Sequence, residues 1–261
     1  MFTSNPFADL TVFLPPLVMQ VYIVLMIFAV AIGTLFDVVH KKSAKYFFDN
    51  WRNAKSKGSK RVGGAEIASL AVRTLLVEVL TSAELEDCSA RRRVAHLLTM
   101  YGFLAYVIAT AVMVFGYPTP ATPTPAIWPL LWHIGALMVC IGGYWYWFFL
   151  RVDVVAEGNS PFRVVRADLF ILSLLASVTL GLAWSLLQAT GVAWLFFGLY
   201  VIATTVLFGS IPWSKFAHMF FKPAAALQKR VAEADGSRSN LPAAADKPET
   251  FGSPGRLPQN Y

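Results

Sequence analysis

Residues 91–150 read RRRVAHLLTMYGFLAYVIATAVMVFGYPTPATPTPAIWPLLWHIGALMVCIGGYWYWFFL, and this stretch decides the fold. Three arginines open it, and no charged residue follows until Arg151. The proline-rich connector YPTPATPTPA, residues 117–126, divides the neutral part into two apolar runs. Each run has the length of about 20 residues that an α-helix needs to cross the hydrocarbon core of a bilayer. The stretch therefore predicts two membrane-spanning helices joined by a short connector.

Three further apolar runs bring the predicted number of spans to five. The predicted spans are Pro15–Phe36, Ala95–Phe115, Ile127–Leu150, Leu169–Leu187 and Val192–Trp213. Because no water is available in hydrocarbon, each backbone polar group must be satisfied within its own segment, and the spans must be helices. With a mean hydropathy of +0.55, the chain is predicted to be an all-α, polytopic membrane protein with a five-helix bundle.

The distribution of basic residues predicts the orientation of the bundle. All 22 lysines and arginines lie in Lys41–Arg93, in Arg151–Arg166 or from Lys215 onward. By the positive-inside rule, these segments are cytoplasmic and the N-terminus is outside. The odd number of spans then places the C-terminus in the cytoplasm. The net charge of +7 is explained by this orientation and by anionic lipid headgroups, so nucleic acid is not an expected partner.

The predicted organisation has a membrane domain and three flanking segments. An external segment (1–14) precedes the five-helix domain (15–225), and a disordered cytoplasmic tail (226–261) follows it. Within the domain, loop 41–93 is cytoplasmic. Its second half, Ala65–Leu80, is too short and too charged to span the bilayer, and it reads as an interfacial or partner-facing helix.

Several small and aromatic residues have predicted packing roles. Five glycines are expected to allow close approach of helices, and six tryptophans are expected to form an aromatic belt at the membrane boundaries. They are Gly135, Gly142, Gly143, Gly181 and Gly198, and Trp128, Trp132, Trp145, Trp147, Trp194 and Trp213. The two cysteines, Cys88 in a loop and Cys140 in the third span, are too far apart for a disulfide, and they are too few for an iron–sulfur cluster.

Two of the four histidines lie at the basic ends of predicted spans. His96 begins the second span and His218 follows the fifth, so the two imidazoles can meet on one side of the bundle. A b haem between helices needs two such ligands and cations for its propionates. The candidate cations are Arg91, Arg92, Arg93, Arg163 and Lys215. The alternative is that both histidines simply lie near headgroups.

Three runs in this order resemble the gamma-subunit superfamily of respiratory nitrate reductase. They are RRRVAHLLTMYGF, VRADLFILSLL and WSKFAHMFFKP. In that superfamily, the histidines that match His96 and His218 ligate one b haem. Members with two haems carry a second pair, at the positions of Tyr106 and Tyr200 here. A bis-tyrosine b-type site is not an expected replacement, so the resemblance implies one haem at most and argues against the nitrate-reductase subunit itself.

The run GGYWYWFFLRVDVVAEG, together with the runs FRVVRADLF and FGSIPWSKFAHMFFKP, resembles the family of membrane proteins associated with dissimilatory adenylylsulfate reductase. This resemblance implies a multi-pass anchor in the bacterial inner membrane. Its partner would be a cytoplasmic flavin/iron–sulfur reductase, whose electrons it would exchange with the quinone pool. The chain itself is expected to be a non-catalytic electron-transfer subunit. A cofactor-free membrane tether and a small-solute transporter remain as alternatives.

Three polar residues are expected at similar depth in the outer half of the bundle. At 1.5 Å per residue, Tyr106, His133 and Tyr200 lie about 15, 9 and 12 Å below the outer surface. Hydroxyls and an imidazole are the donors and acceptors that a quinone needs, so this layer is a candidate quinone site. The alternative is three separately satisfied residues.

Overall fold

The computed structural model describes residues 2–40, 42–83, 90–151, 158, 160, 162–213 and 218–237. Among these residues all regular structure is helical, which confirms the all-α prediction in its general form. The helices are α1 (Pro6–Asp9), α2 (Pro16–His40), α3 (Ser43–Lys57), α4 (Gly64–Thr74), α5 (Ala90–Ala111), α6 (Ile127–Trp145), α7 (Leu169–Leu187), α8 (Ala193–Gly209) and α9 (His218–Ala234).

Helices α4, α5 and α6 each continue without a break into a π-helical turn. The turns are Leu75–Leu80, Val112–Gly116 and Tyr146–Leu150. With these extensions, four helices of the described chain (α2, α5, α6 and α7) are long and apolar enough to cross a membrane, by length and composition. The protein therefore has the helices of a multi-pass membrane protein. The fifth predicted span contains α8, a shorter apolar helix of 17 residues, followed by the 3₁₀ turn Ile211–Trp213.

Helices α5 to α8 form a bundle in which consecutive helices pack side by side, and α2 lies against α8. The closest crossing is between α5 and α6. A Cβ atom on Gly102 would lie 2.7 Å from the carbonyl oxygen of Gly135, and one on Gly135 would lie 2.7 Å from that of Gly102. Side chains at these positions would force the two backbones apart. The apolar hairpin seen in the sequence is thus locked by glycine on both sides.

The predicted packing role is confirmed for four of the five glycines. A Cβ atom on Gly142 would meet the carbonyl oxygen of Ala95 at 2.6 Å, and one on Gly143 would meet the side chain of Leu175 at 2.7 Å. Gly181 faces the hydroxyl of Tyr106. The prediction is wrong for Gly198, which has no atom in reach of an added Cβ within the described structure.

The bundle has two distinct ends. The connector end carries residues 117–126 and 188–192, and the basic end carries Arg91–Arg93 and Arg151. At the basic end, α9 packs against α4 and α3 to form a small helical cap. Residues 226–234, which were assigned to a disordered tail, instead belong to α9. Val231 and Ala232 of this helix are buried, because its apolar side faces the loop helices.

A short turn closes the helical cap. The backbone N–H groups of Ser59 and Lys60 both donate to the carbonyl oxygen of Asp235, at 2.9 and 3.1 Å. The Asp235 side chain accepts from the N–H of Ser237 at 2.8 Å, across Gly236, which has a positive φ of 72°. Residues 42–83 and 218–237 are therefore one folded unit.

Candidate functional site

His96 lies on α5 at the basic end and is half-buried. Its Nδ1 atom is 3.3 Å from Oγ of Ser82. Ser82 is itself buried and has a positive φ of 49°, which an L-residue adopts only when its surroundings hold it there. The imidazole is therefore oriented by a fixed hydroxyl. No local sequence pattern predicts this contact, since Ser82 lies in a loop.

Two more side chains of α5 bind the backbone just before Ser82. Tyr101 Oη donates to the carbonyl oxygen of Leu80 at 2.6 Å, and Arg93 Nε donates to that of Thr81 at 2.8 Å. Together with His96, they fasten the end of the segment that begins with α4 to the flank of α5. This arrangement is a latch between the loop and the second span.

The second predicted haem ligand is only partly described. His218 is the first residue of α9, but its side chain lies outside the described residues, as does Lys215. The pairing of His96 with His218 therefore stays a prediction. Among the described residues, no three His, Cys, Asp or Glu side chains form a group that could hold a metal ion.

The other predicted propionate partners have different surroundings. Arg91 is exposed and Arg92 is half-buried at the start of α5. Arg93 directs its Nε to Thr81. Arg163 is exposed, and its carbonyl oxygen accepts a hydrogen bond of 2.6 Å from Arg151. The described contacts thus place Arg163 beside the junction of α6 and α7.

That junction contains a buried ion pair that the sequence pattern did not predict. The guanidinium of Arg151 pairs with the carboxylate of Asp168, and both side chains are largely buried. The guanidinium also lies 4.0 Å above the ring of Trp147, and Asp168 Oδ2 accepts from the N–H of Val165 at 2.8 Å. The available signal was position: one charge ends the third span and the opposite charge precedes the fourth.

At the connector end, Tyr106 and Tyr200 lie in a closed aromatic layer. Tyr106 stacks on Trp132 with ring centroids 5.0 Å apart, and Tyr200 stacks on Trp184 at 5.8 Å. All four rings are buried. The prediction that Trp132 belongs to a boundary belt is wrong, because this ring packs inside the bundle.

The Tyr106 hydroxyl is an unsatisfied polar group. It points at Gly181, where an added Cβ would be 2.9 Å from this hydroxyl and 3.3 Å from the ring of Tyr200. Within the described structure, however, it makes no hydrogen bond of acceptable geometry. An unpaired buried hydroxyl is costly. The structure thus brings Tyr106 and Tyr200 together around Gly181, and the quinone role of this layer stays a prediction.

His133 follows Trp132 on α6, and both of its ring nitrogens are already hydrogen-bonded. Its Nδ1 is 2.7 Å from the carbonyl oxygen of Pro129, so this nitrogen carries the proton and donates. Its Nε2 is 2.8 Å from Ser185 Oγ and accepts from that hydroxyl. The side chain is 1% exposed. For His133, the structure therefore favours the alternative of a separately satisfied residue.

The N-terminal segment closes the connector end. Phe7 is buried between Trp132 and Trp184, with ring centroids at 5.9 and 5.3 Å. Asn5 caps α1 and donates to the carbonyl oxygen of Tyr117 at 2.9 Å. Gln188 donates to the carbonyl oxygen of Pro6, also at 2.9 Å. The predicted external segment is thus an integral part of the bundle rather than a free extension.

Comparisons with protein-family models, with curated proteins and with solved structures find no match for this chain.

Proposed function

We propose that the protein is a membrane anchor and electron-transfer subunit that links a cytoplasmic flavin/iron–sulfur reductase to the quinone pool. The resemblance of three sequence runs to membrane cytochromes b suggests this role, and adenylylsulfate reductase is the proposed partner. The observation that carries the proposal is the surroundings of His96. A histidine at the end of a spanning helix has its Nδ1 atom 3.3 Å from the hydroxyl of a buried serine, and a hydrogen bond at the second ring nitrogen is what orients metal-ligating histidines.

The proposal requires five spans, with the basic end in the cytoplasm of a bacterial cell. Helix α8 has 17 residues, which corresponds to about 25 Å at 1.5 Å per residue. The turn Ile211–Trp213 extends it further, so the whole segment is close to the hydrocarbon thickness of about 30 Å. The positions of lysine and arginine support the orientation.

One b haem is proposed at the basic end, with His96 and His218 as its ligands. Such a haem supplies a one-electron relay between the two sides of the protein. Ser82 would orient the His96 ring by accepting a hydrogen bond from its Nδ1–H group, and the arginines at the start of α5 would balance the negative charge of the propionates. The stacked pairs of Tyr106 with Trp132 and of Tyr200 with Trp184 fill the interior at the other end. This packing supports a single haem rather than two.

Quinone exchange is proposed for the same subunit, with Tyr106 as the residue of the predicted layer best suited to bind it. Its buried hydroxyl can donate a hydrogen bond to a quinone carbonyl. His133 is less suitable, since Pro129 and Ser185 already use both ring nitrogens. A quinone ring would reach Tyr106 by displacing Phe7, which lies against the ring stacked on this tyrosine.

The visible spectrum of the purified protein tests the haem. We expect a Soret band in the wild type that is lost in His96→Ala and in His218→Ala. The matched control is His40→Ala, which removes an exposed histidine stacked on Phe36 and should keep the band. A Soret band that survives both ligand substitutions would contradict the ligand assignment.

A cofactor-free tether for the same reductase is the second candidate, because the latch gives His96 a purely structural role. It predicts no Soret band in the wild type. It also predicts co-purification of the flavin/iron–sulfur subunits that is weakened by Ser82→Ala, which removes the His96 contact of the latch. Co-purification of neither subunit would contradict the anchor role in both candidates.

A further inference from the structure

The segment formed by α4 and its π-helical turn, Gly64–Leu80, is apolar on two opposite faces. One face, which includes the buried Thr74, packs against α9. The other face is exposed: Val72, Leu75 and Leu76 are 55, 52 and 53% exposed. Exposed apolar side chains that are grouped on one surface, with polar residues at its edge, mark a site of contact with a membrane or a protein. We therefore expect another molecule to cover the exposed face.

The latch fixes the position of this face relative to the membrane. Tyr101 lies eight residues beyond Arg93, or about 12 Å along the helix axis. Helical side chains point back toward the N-terminus, so the Leu80 carbonyl that Tyr101 binds lies between the levels of Arg93 and Tyr101. Since the arginines mark the headgroup level, the end of the segment lies at the boundary between headgroups and acyl chains.

The exposed face is also continuous with a lipid-facing side of α5. Tyr101 belongs to a stripe of exposed apolar residues on that helix. The others are Val94, Leu104 and Ile108. Leu80, which is 45% exposed, joins the two surfaces. A single apolar surface thus runs from the second span onto the segment.

The charges on the segment fit a phospholipid surface. Arg73 is exposed beside Val72 and Leu76, and all three line a shallow depression of about 480 Å³. An arginine at the edge of an apolar face can reach the headgroups while its stem covers apolar surface. Glu66, the carboxylate at the other end, is paired with Lys60 at 3.2 Å.

We propose that Gly64–Leu80 is an interfacial helix whose exposed face binds phospholipid. Acyl chains lie against Val72 and Leu76, and Arg73 binds the phosphate of the headgroup. The basic surface of α3 then remains available to a cytoplasmic protein. Because the latch also holds His96, the bilayer helps to position this histidine. The lipid contact does not depend on whether the protein carries electrons.

Depth-dependent fluorescence quenching tests the proposal. Leu76→Cys is prepared without the native cysteines, labelled with bimane and reconstituted in vesicles of phosphatidylcholine and phosphatidylglycerol. We expect several-fold stronger quenching by a lipid nitroxide near the headgroup than by one near the chain end, and little quenching by aqueous iodide. Thr122→Cys, in the exposed connector, is the control for water. Ile141→Cys, at an exposed position in the middle of α6, is the control for the bilayer centre.

Quenching by aqueous iodide gives the result that would contradict the proposal. Iodide quenching at Leu76 as strong as at Thr122 would overturn the proposal, whether or not a protein partner later protects the site. Val72→Cys, on the same face, gives an independent reading if Leu76→Cys does not fold. Its agreement with the expected pattern would support the same conclusion.

Discussion

The two ends of the bundle are built by different chemistry. The connector end is closed by neutral aromatic rings, with Phe7 wedged between Trp132 and Trp184. The basic end is held by charge and by hydrogen bonds to loop carbonyls, as in the pair of Arg151 with Asp168. In lipid, apolar contacts give little preference for one helix neighbour over another. Ring packing at one end and ion pairing at the other supply that preference.

This difference also separates structure from proposed function. At the connector end, Pro129 and Ser185 form hydrogen bonds with both ring nitrogens of His133, which leaves the histidine little freedom to bind another group. At the basic end, His96 connects a loop to a span, so its position depends on both. A change at His96 should therefore affect partner contacts, whereas a change at His133 should affect mainly packing.

The largest expected effect comes from Arg151→Ala. Asp168 would be left as a buried charge without its partner, at a cost of about 3–5 kcal/mol. We expect a large fall in the thermal unfolding midpoint in detergent. Arg52→Ala, which breaks the exposed pair with Asp49, should cost at most about 1 kcal/mol. Equal effects of the two substitutions would remove the structural distinction between these ion pairs.

Phe7→Ala should produce the next largest effect. The substitution leaves a cavity between two tryptophans and should cost about 3 kcal/mol. Acrylamide should then quench the fluorescence of the buried tryptophans more strongly than in the wild type. Phe13→Ala, which removes a ring that is 73% exposed, should change neither quantity appreciably. Unchanged quenching in Phe7→Ala would mean that the N-terminal segment does not close this end.

Ser185→Ala is expected to have a smaller effect. It leaves the buried Nε2 of His133 without a donor, which should cost about 1–3 kcal/mol. Ser173→Ala is the matched control on the same helix, because that hydroxyl donates to carbonyl oxygens of its own helix, including that of Leu169. Unfolding in detergent compares the two variants. A greater loss in Ser173→Ala would show that His133 does not depend on Ser185.

The sequence predicted the helices better than their contacts. Hydropathy and charge located the apolar helices because both depend on residues close together in the chain. The third and fourth predicted spans have the bounds Ile127–Leu150 and Leu169–Leu187, as found in the structure. The glycine positions followed from the same reasoning, except at Gly198, where the rotation of the helix was unknown.

Contacts between distant residues were beyond the sequence. Asn5 binds the carbonyl oxygen of Tyr117 across 112 positions, and no local pattern marks that pairing. Shared depth brought Tyr106 and Tyr200 into one layer, but it gave no indication that His133 would turn toward Ser185. Helix α9 was missed because alanine and charged residues dominate its composition, while its stability comes from packing on the loop helices.

The proposed function depends most on how many times the chain crosses the membrane, and a topology reporter measures this directly. Reporter insertions at Thr122 and at Gly191, and a fusion after Tyr261, sample both connectors and the C-terminus. Five spans with the basic end in the cytoplasm predict external signals at Thr122 and Gly191 and a cytoplasmic signal after Tyr261. The same side for Gly191 and Tyr261 would mean that α8 does not cross, and it would contradict the five-span arrangement.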